Sequence, residues 1–284
     1  MRFSVLAAKW RSPVPLHSIS SQRVLLLLVL SSCTLSAAPQ LSTTERLQTL
    51  ARSITFAWAK AHPLVATFLG LSDEDGRLDA PSQAENAHDL AVIRGWEREL
   101  AAIPLHGASL AEVDDAKLIR AQLTGYERQY LVYKPYEKDP SWASLAIMNA
   151  IYTQFLHLPI AGTAGATAVD VETAWEKIIQ RLKGASAYIA SGNALVTHPG
   201  HLYGITGAEQ LAGAPSLFGG PLTDAAKQQL PADRFAEFVK ARDAALVAMN
   251  QTKNRRACGI VARELCDWAP GLRCDAARRA AIAV

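Results

Sequence analysis

DVETAWEKIIQRLKGASAYIASGNAL, residues Asp170 to Leu195, is the stretch whose reading decides the fold class. Val171, Ala174, Trp175, Ile178, Ile179, Leu182, Ala185 and Ile189 recur at steps of three and four, which gathers them on one stripe of an α-helix. Such a stripe has to be covered by other elements. Glu172, Glu176, Lys177, Gln180, Arg181 and Lys183 fall on the opposite face, which reads as the solvated one. The stretch predicts the central packing helix of an all-α, irregular multi-helix domain.

Upstream, the same period recurs behind helix-start signals. Ser42-Thr43-Thr44-Glu45, Ser82-Gln83-Ala84-Glu85 and Ser109-Leu110-Ala111-Glu112 each have the form of a capping box. In that device the Ser hydroxyl takes the amide of the Glu and the Glu carboxylate reaches back. The first helix carries Leu47, Leu50, Ile54 and Trp58 and stops at Pro63; the second passes Ala91, Trp96 and Leu100 and ends before Pro104. The third carries Leu118, Ile119, Leu123, Tyr126, Tyr130 and Tyr133 up to Pro135. Asp139-Pro140 reads as an N-cap and first-turn proline for a helix through Trp142, Leu145, Tyr152, Phe155 and Leu156. A small-residue loop, Gly162 to Thr167, leads into the central helix. It lacks the G-x-G-x-x-G order and the Gly-Lys-Ser/Thr ending of a phosphate cradle. Downstream, a Gly- and Pro-rich loop is expected from Thr197 to Pro221. A last helix from about Asp224 presents Phe235, Phe238, Val239, Leu246 and Met249.

The 284 residues are 50% hydrophobic and 19% charged, enough for one sizeable core. The net charge of +3 resides in residues 254–284, where six Arg face Glu264, Asp267 and Asp275; the rest is neutral. That excludes the basic footprint of a nucleic-acid binder. The tail also holds Cys258, Cys266 and Cys274 and resembles the product of a shifted reading frame. The expected organisation is a signal segment and linker over 1–40, a helical domain over 41–253 and an atypical tail over 254–284.

Arg23 followed by the apolar run Val24 to Leu30 and small residues fits a secretory signal; the run is too short to span a bilayer. Leu30-Ser31-Ser32-Cys33 resembles a bacterial lipobox, in which Cys33 is lipidated and becomes the mature N-terminus. Cleavage after Ala38 is the competing reading. The expected location is the periplasm or, for the lipoprotein, an outer-membrane anchor, with the membrane reached only through that lipid.

Catalytic, cofactor-binding and metal-ligating positions are all expected to be absent. Counted from Asp73 as an EF-hand loop, position five is Arg77 and position twelve is Ala84, so Asp73-Glu74-Asp75-Gly76 reads as a solvated turn. The tail Cys are spaced by eight rather than the two to four of zinc sites. His198-Pro199-Gly200-His201 reads as a turn with two exposed imidazoles, and His62 as a helix-end residue. No G-x-S-x-G and no H-E-x-x-H occurs. Tyr126, Tyr130, Tyr133 and Tyr136 fit a sugar or peptide groove and ordinary packing equally well.

His62-Pro63-Leu64-Val65-Ala66-Thr67-Phe68-Leu69-Gly70, followed by Arg77-Leu78-Asp79, resembles the opening of a large bacterial family catalogued as domain of unknown function 885. Agreement continues through Trp96-Glu97-Arg98-Glu99-Leu100, Ser109-Leu110 and Arg181-Leu182, across about residues 45–250. The resemblance implies a helical fold similar to exported zinc metallopeptidases, with zinc and peptidase or carboxypeptidase activity in full-length members. The H-E-x-x-H of that family has no counterpart in this chain, so no zinc is expected here. The expected function is that of an inactive amino-terminal part of such a peptidase. The alternative is a non-catalytic helical envelope lipoprotein that binds a peptide or protein partner.

Overall fold

The computed structural model describes residues 41–159 and 167–268, with the backbone alone from 253 onward. The chain over these residues is helical, with no β-strand among them. Eleven α-helices are described: α1 Thr43–Ala61, α2 Pro63–Phe68, α3 Gln83–Ala101, α4 Leu110–Arg128, α5 Pro135–Lys138, α6 Trp142–Leu156, α7 Ala168–Ala194, α8 His201–Leu211, α9 Ala214–Gly219, α10 Pro221–Gln229 and α11 Ala232–Trp268. The signal segment, Cys33, most of the Gly162–Thr167 loop and Cys274 lie outside the described residues.

Two apolar cores organise these helices. Leu47, Leu50, Ile54 and Trp58 of α1 meet Ile93, Trp96 and Leu100 of α3 and Leu123 of α4 in the smaller one. The larger is built around α7. Val171, Trp175, Ile178, Ile179, Leu182, Ala185 and Ile189 are all buried there, against Ile147 and Ile151 of α6, Phe218 of α9 and Phe238 of α11. Trp175 brings its one polar atom into this core satisfied, its indole N–H donating to Gln229 Oε1 at 2.8 Å. Helix α2 bridges the cores, with Leu64 in the larger and Val65 against the smaller.

The start signals at Ser42 and Ser109 form complete capping boxes. At Ser82 only half forms: the hydroxyl takes the Glu85 amide, with no return bond from the Glu85 side chain. Helix α7 begins two residues before Asp170, under a complete box from Thr167 to Asp170. An Asp in place of Glu or Gln at the third position hides that start from the sequence pattern. Thr167→Ala should cost about 1 kcal/mol and lower Tm by roughly 2–4 °C in a domain of this size, read by thermal unfolding.

Several expectations are corrected. Arg181 is not on a solvated face: it is 0% exposed, because the segment from Pro63 to Leu78 covers that side of α7. The acidic turn is not simply solvated, since Ser72–Glu74 is a 3₁₀ turn and Asp75 accepts from Thr67 Oγ1 at 2.5 Å. Asp139 does not cap α6. Its carboxylate takes the Ser141 amide at 2.8 Å, and Ser141 stands at the cap position. Leu118 on α4, and Tyr133 in the π-helical turn that follows it, lie outside the core at 69% and 50% exposure.

The Thr197–Pro221 loop is mostly helical. Pro215 and Pro221 sit in the first turns of α9 and α10, where a missing N–H costs nothing. Gly207 lets α8 approach the start of α6, where a Cβ would overlap the Ser141 hydroxyl. Finally, α11 runs unbroken past Asn254 to Trp268, so the change of composition there falls inside a helix.

Candidate functional site

Pro63 cannot continue α1, and the residue before a proline is pushed out of helical backbone. His62 therefore stops the helix at φ −118°, ψ 79°, its amide still bonded to Trp58 O at 2.8 Å. Its ring lies on Trp58 with centroids 4.0 Å apart and is buried where the two cores meet. Asp79 arrives from the loop that Arg181 holds, and Asp89 from the buried face of α3. His62 Nδ1 stands 3.7 Å from Asp79 Oδ2 and Nε2 3.3 Å from Asp89 Oδ1. The second contact lies within ion-pair range without hydrogen-bond alignment.

Tyr130 completes the cluster from an unusual piece of backbone. Helix α4 ends in a π-helical turn, Gln129–Tyr133, and Lys134 follows in left-handed conformation at φ 46°. Both are rare for non-glycine residues and concentrate at functional sites. This turn aims the Tyr130 hydroxyl at Asp89, to which it donates at 2.7 Å, while the Tyr136 hydroxyl donates to Tyr130 O.

Burial works to lower the His62 pKa, but the two carboxylates outweigh it and raise it to about 9. The imidazole is thus a cation near neutral pH and cannot serve as a general base there. Burial, reinforced by the bond to Asp89, drives the Tyr130 hydroxyl far above its ordinary range, so it remains a proton donor.

Beside this cluster lies a cavity of about 160 Å³, lined on its polar side by His62, Asp79, Glu85, Asn86, Asp89 and Gln129, and elsewhere by Tyr130, Tyr136 and Trp142. Among the lining residues, His62 Nε2, Asp79 Oδ1, Asn86 Nδ2 and Trp142 Nε1 are buried without a hydrogen-bond partner. Buried polar atoms are paired in the great majority of cases, so four in one neighbourhood stand out. No Ser, Thr or Cys lines it.

Gln129 and Tyr130 also border an open groove of about 840 Å³, lined further by Trp58, Val65, Tyr126 and Tyr133 and by the charged Lys117 and Arg120. Of the sequence's tyrosine run, Tyr126, Tyr130 and Tyr133 face the groove, and Tyr130 and Tyr136 the cavity. Tyr126 also stacks on Trp58 at 4.5 Å, so groove lining and packing are two sides of one arrangement.

Among solved structures, the fold is similar to that of a candidate lipoprotein of unknown function from Shewanella oneidensis, with a TM-score of 0.65 at 19% identity. The match covers 82% of this chain and 40% of that one, so this chain spans well under half of the neighbour's length. The likeness is one of fold. No protein-family model and no curated protein matches the chain.

The other residues singled out in the sequence do not join this site. His198 and His201 are exposed at the entry to α8, His198 paired with the Thr197 hydroxyl at 2.9 Å. Cys258 and Cys266 fall on the last turns of α11, where only the backbone is described. No group of three or more His, Cys, Asp or Glu placed to hold a metal occurs among the described residues. Sequence reasoning missed Asp79, Glu85, Asn86 and Asp89 as a set. One signal was available: Glu85 and Asp89 are four apart, which puts two carboxylates on one face of α3.

Proposed function

We propose that this chain is an exported, non-catalytic helical module that binds a peptide or protein partner, attached to the membrane through lipid on Cys33. The observation that carries the reading is a groove and a cavity that share Gln129 and Tyr130 in their linings, with four unpaired buried polar atoms on residues that line the cavity. Its chemistry favours holding over turnover. The imidazole is already protonated, the tyrosine hydroxyl keeps its proton, and the cavity's lining residues include no Ser, Thr or Cys beside them. No helix of the described residues is long and apolar enough to cross a membrane, which suits attachment by lipid.

A second reading rests on a different observation. The neighbour of similar fold is much longer, and most of this chain matches less than half of it. This chain would then be the amino-terminal part of a larger helical protein of the metallopeptidase type, supplying peptide recognition without the metal-bearing part. Both readings predict the same first result. Incubated with a mixture of unlabelled peptides and followed by mass spectrometry, the purified full chain should leave every peptide intact. Cleavage that a chelator stops would overturn the non-catalytic assignment.

A further inference from the structure

We infer that the cavity beside His62 takes a primary ammonium group, presented by the free amino terminus of a peptide. The inference rests on the binding reading above and names what its closed end recognises.

Charge comes first. Asp79, Glu85 and Asp89 line the cavity against the single cation of His62, and no Lys or Arg lines it. Arg181 is the nearest further cation whose field reaches Asp79, and Asp75 stands against its guanidinium at 3.9 Å. Asp89 is already engaged, by the Tyr130 hydroxyl and by His62. Asp79 is only half engaged: one oxygen faces His62 and the other, Oδ1, is buried with no donor.

Glu85 adds an independent observation. The boxes at Ser42 and Ser109 spend their Glu on the cap amide, whereas Glu85 forgoes that bond and lines the cavity. Asp79 Oδ1 thus lacks a donor and Glu85 is free of its cap bond, and a ligand carrying N–H bonds and positive charge fits them, where an anion would add repulsion. The rings of Tyr136 and Trp142 form further wall, a surface that cations favour.

The unpaired donors specify what adjoins the ammonium. Asn86 Nδ2 and Trp142 Nε1 lack acceptors, while His62 Nε2 has only the unaligned Asp89 Oδ1 at 3.3 Å. A carbonyl oxygen close to the ammonium would answer them, and the first residue of a peptide has that arrangement. The groove that shares Gln129 and Tyr130 with the cavity lies on the side toward which the remaining chain would run. A lysine side chain offers the same ammonium without the adjoining carbonyl.

The test follows the Trp142 indole N–H of the full chain by NMR at pH 7. The probes are glycinamide, N-acetylglycinamide, N-acetyl-lysine amide and the anion N-acetylglycine. Glycinamide should shift the resonance saturably and N-acetylglycinamide should not. Asp79→Asn should weaken glycinamide by roughly tenfold or more, about 1.4 kcal/mol. Glu85→Gln should do the same on an intermediate-exposure side chain with no folding partner, which keeps the test open if the Asp79 variant misfolds. Binding of N-acetyl-lysine amide in place of glycinamide would support an ammonium and overturn the amino terminus as its source. Binding of N-acetylglycine or N-acetylglycinamide would overturn the ammonium and leave a ligand-binding cavity standing. A Trp142 resonance indifferent to every probe would overturn both the inference and the binding reading beneath it.

Discussion

Replacing Arg181 by Met should destabilise the chain by on the order of 3–5 kcal/mol, the cost of removing one partner from a buried charged network. The guanidinium donates to Thr67 Oγ1 at 2.8 Å, Pro63 O at 3.2 Å, Arg77 O at 3.3 Å and Glu74 O at 3.4 Å, with Asp75 Oδ1 at 3.9 Å. Burial lowers its pKa to about 10 against the pull of Asp75 and Asp79, which still leaves it charged at neutral pH. Methionine would fill much of the volume but strip one donor from each of these acceptors; Pro63 O, Glu74 O and Asp75 keep another, from the Thr67 hydroxyl or the Arg77 amide, whereas a buried acceptor left with none costs about 1–3 kcal/mol. For a domain of this size the loss corresponds to a fall in Tm of roughly 10 °C. Denaturant unfolding of both chains measures it. A change below about 1 kcal/mol would show that the segment from Pro63 to Leu78 is held by other means.

The same clamp reaches the site, because the segment Arg181 pins ends beside Asp79. Pro63, Thr67, Arg77 and Arg181 are therefore the residues that hold this segment against α7, beside the point where His62 meets its carboxylates.

The second large effect is a pH dependence. The His62 pKa stands at about 9 in the folded chain against 6.5 when unperturbed. A group raised in this way contributes stability that is fully present below about pH 6.5 and is lost as pH rises through about 9. The contribution is on the order of 3 kcal/mol, from about 1.4 kcal/mol per pH unit of displacement. Asp79 and Asp89 are the charged groups that face the ring, and the Tyr130 hydroxyl stays protonated across the window. Denaturant unfolding at intervals from pH 6 to 10 should show stability falling between about 6.5 and 9. His62→Gln should be less stable at pH 6 and lose most of that slope. A wild-type chain equally stable at pH 6.5 and 9 would contradict the paired imidazolium.

Sequence periodicity reached the all-α class and the α7 stripe because every residue of that stripe answers to one local rule, the 3.6-residue repeat. The caps at Ser42 and Ser109 were legible for the same reason. Arg181 was not, because a cation opposite an apolar stripe reads as solvated until a distant segment folds over it. The Gly- and Pro-rich stretch misled in a different way. Proline breaks helices only in their interior, and Pro215 and Pro221 sit in first turns. The site was the least legible part. His62 and Asp89 are 27 residues apart, and the loop that brings in Asp79 is fixed by α7, a hundred residues further on. The π-helical turn that aims Tyr130 has no sequence rule comparable to a capping box.

The most direct test of the account is an NMR titration of the ¹⁵N-labelled full chain with a mixture of short peptides bearing free amino termini. Perturbations concentrated on the Trp58 and Trp142 indoles and on the amides from Gln129 to Tyr136 are the predicted result. Saturable shifts that leave these residues unmoved, or none at all, would contradict a binding site at the junction of groove and cavity.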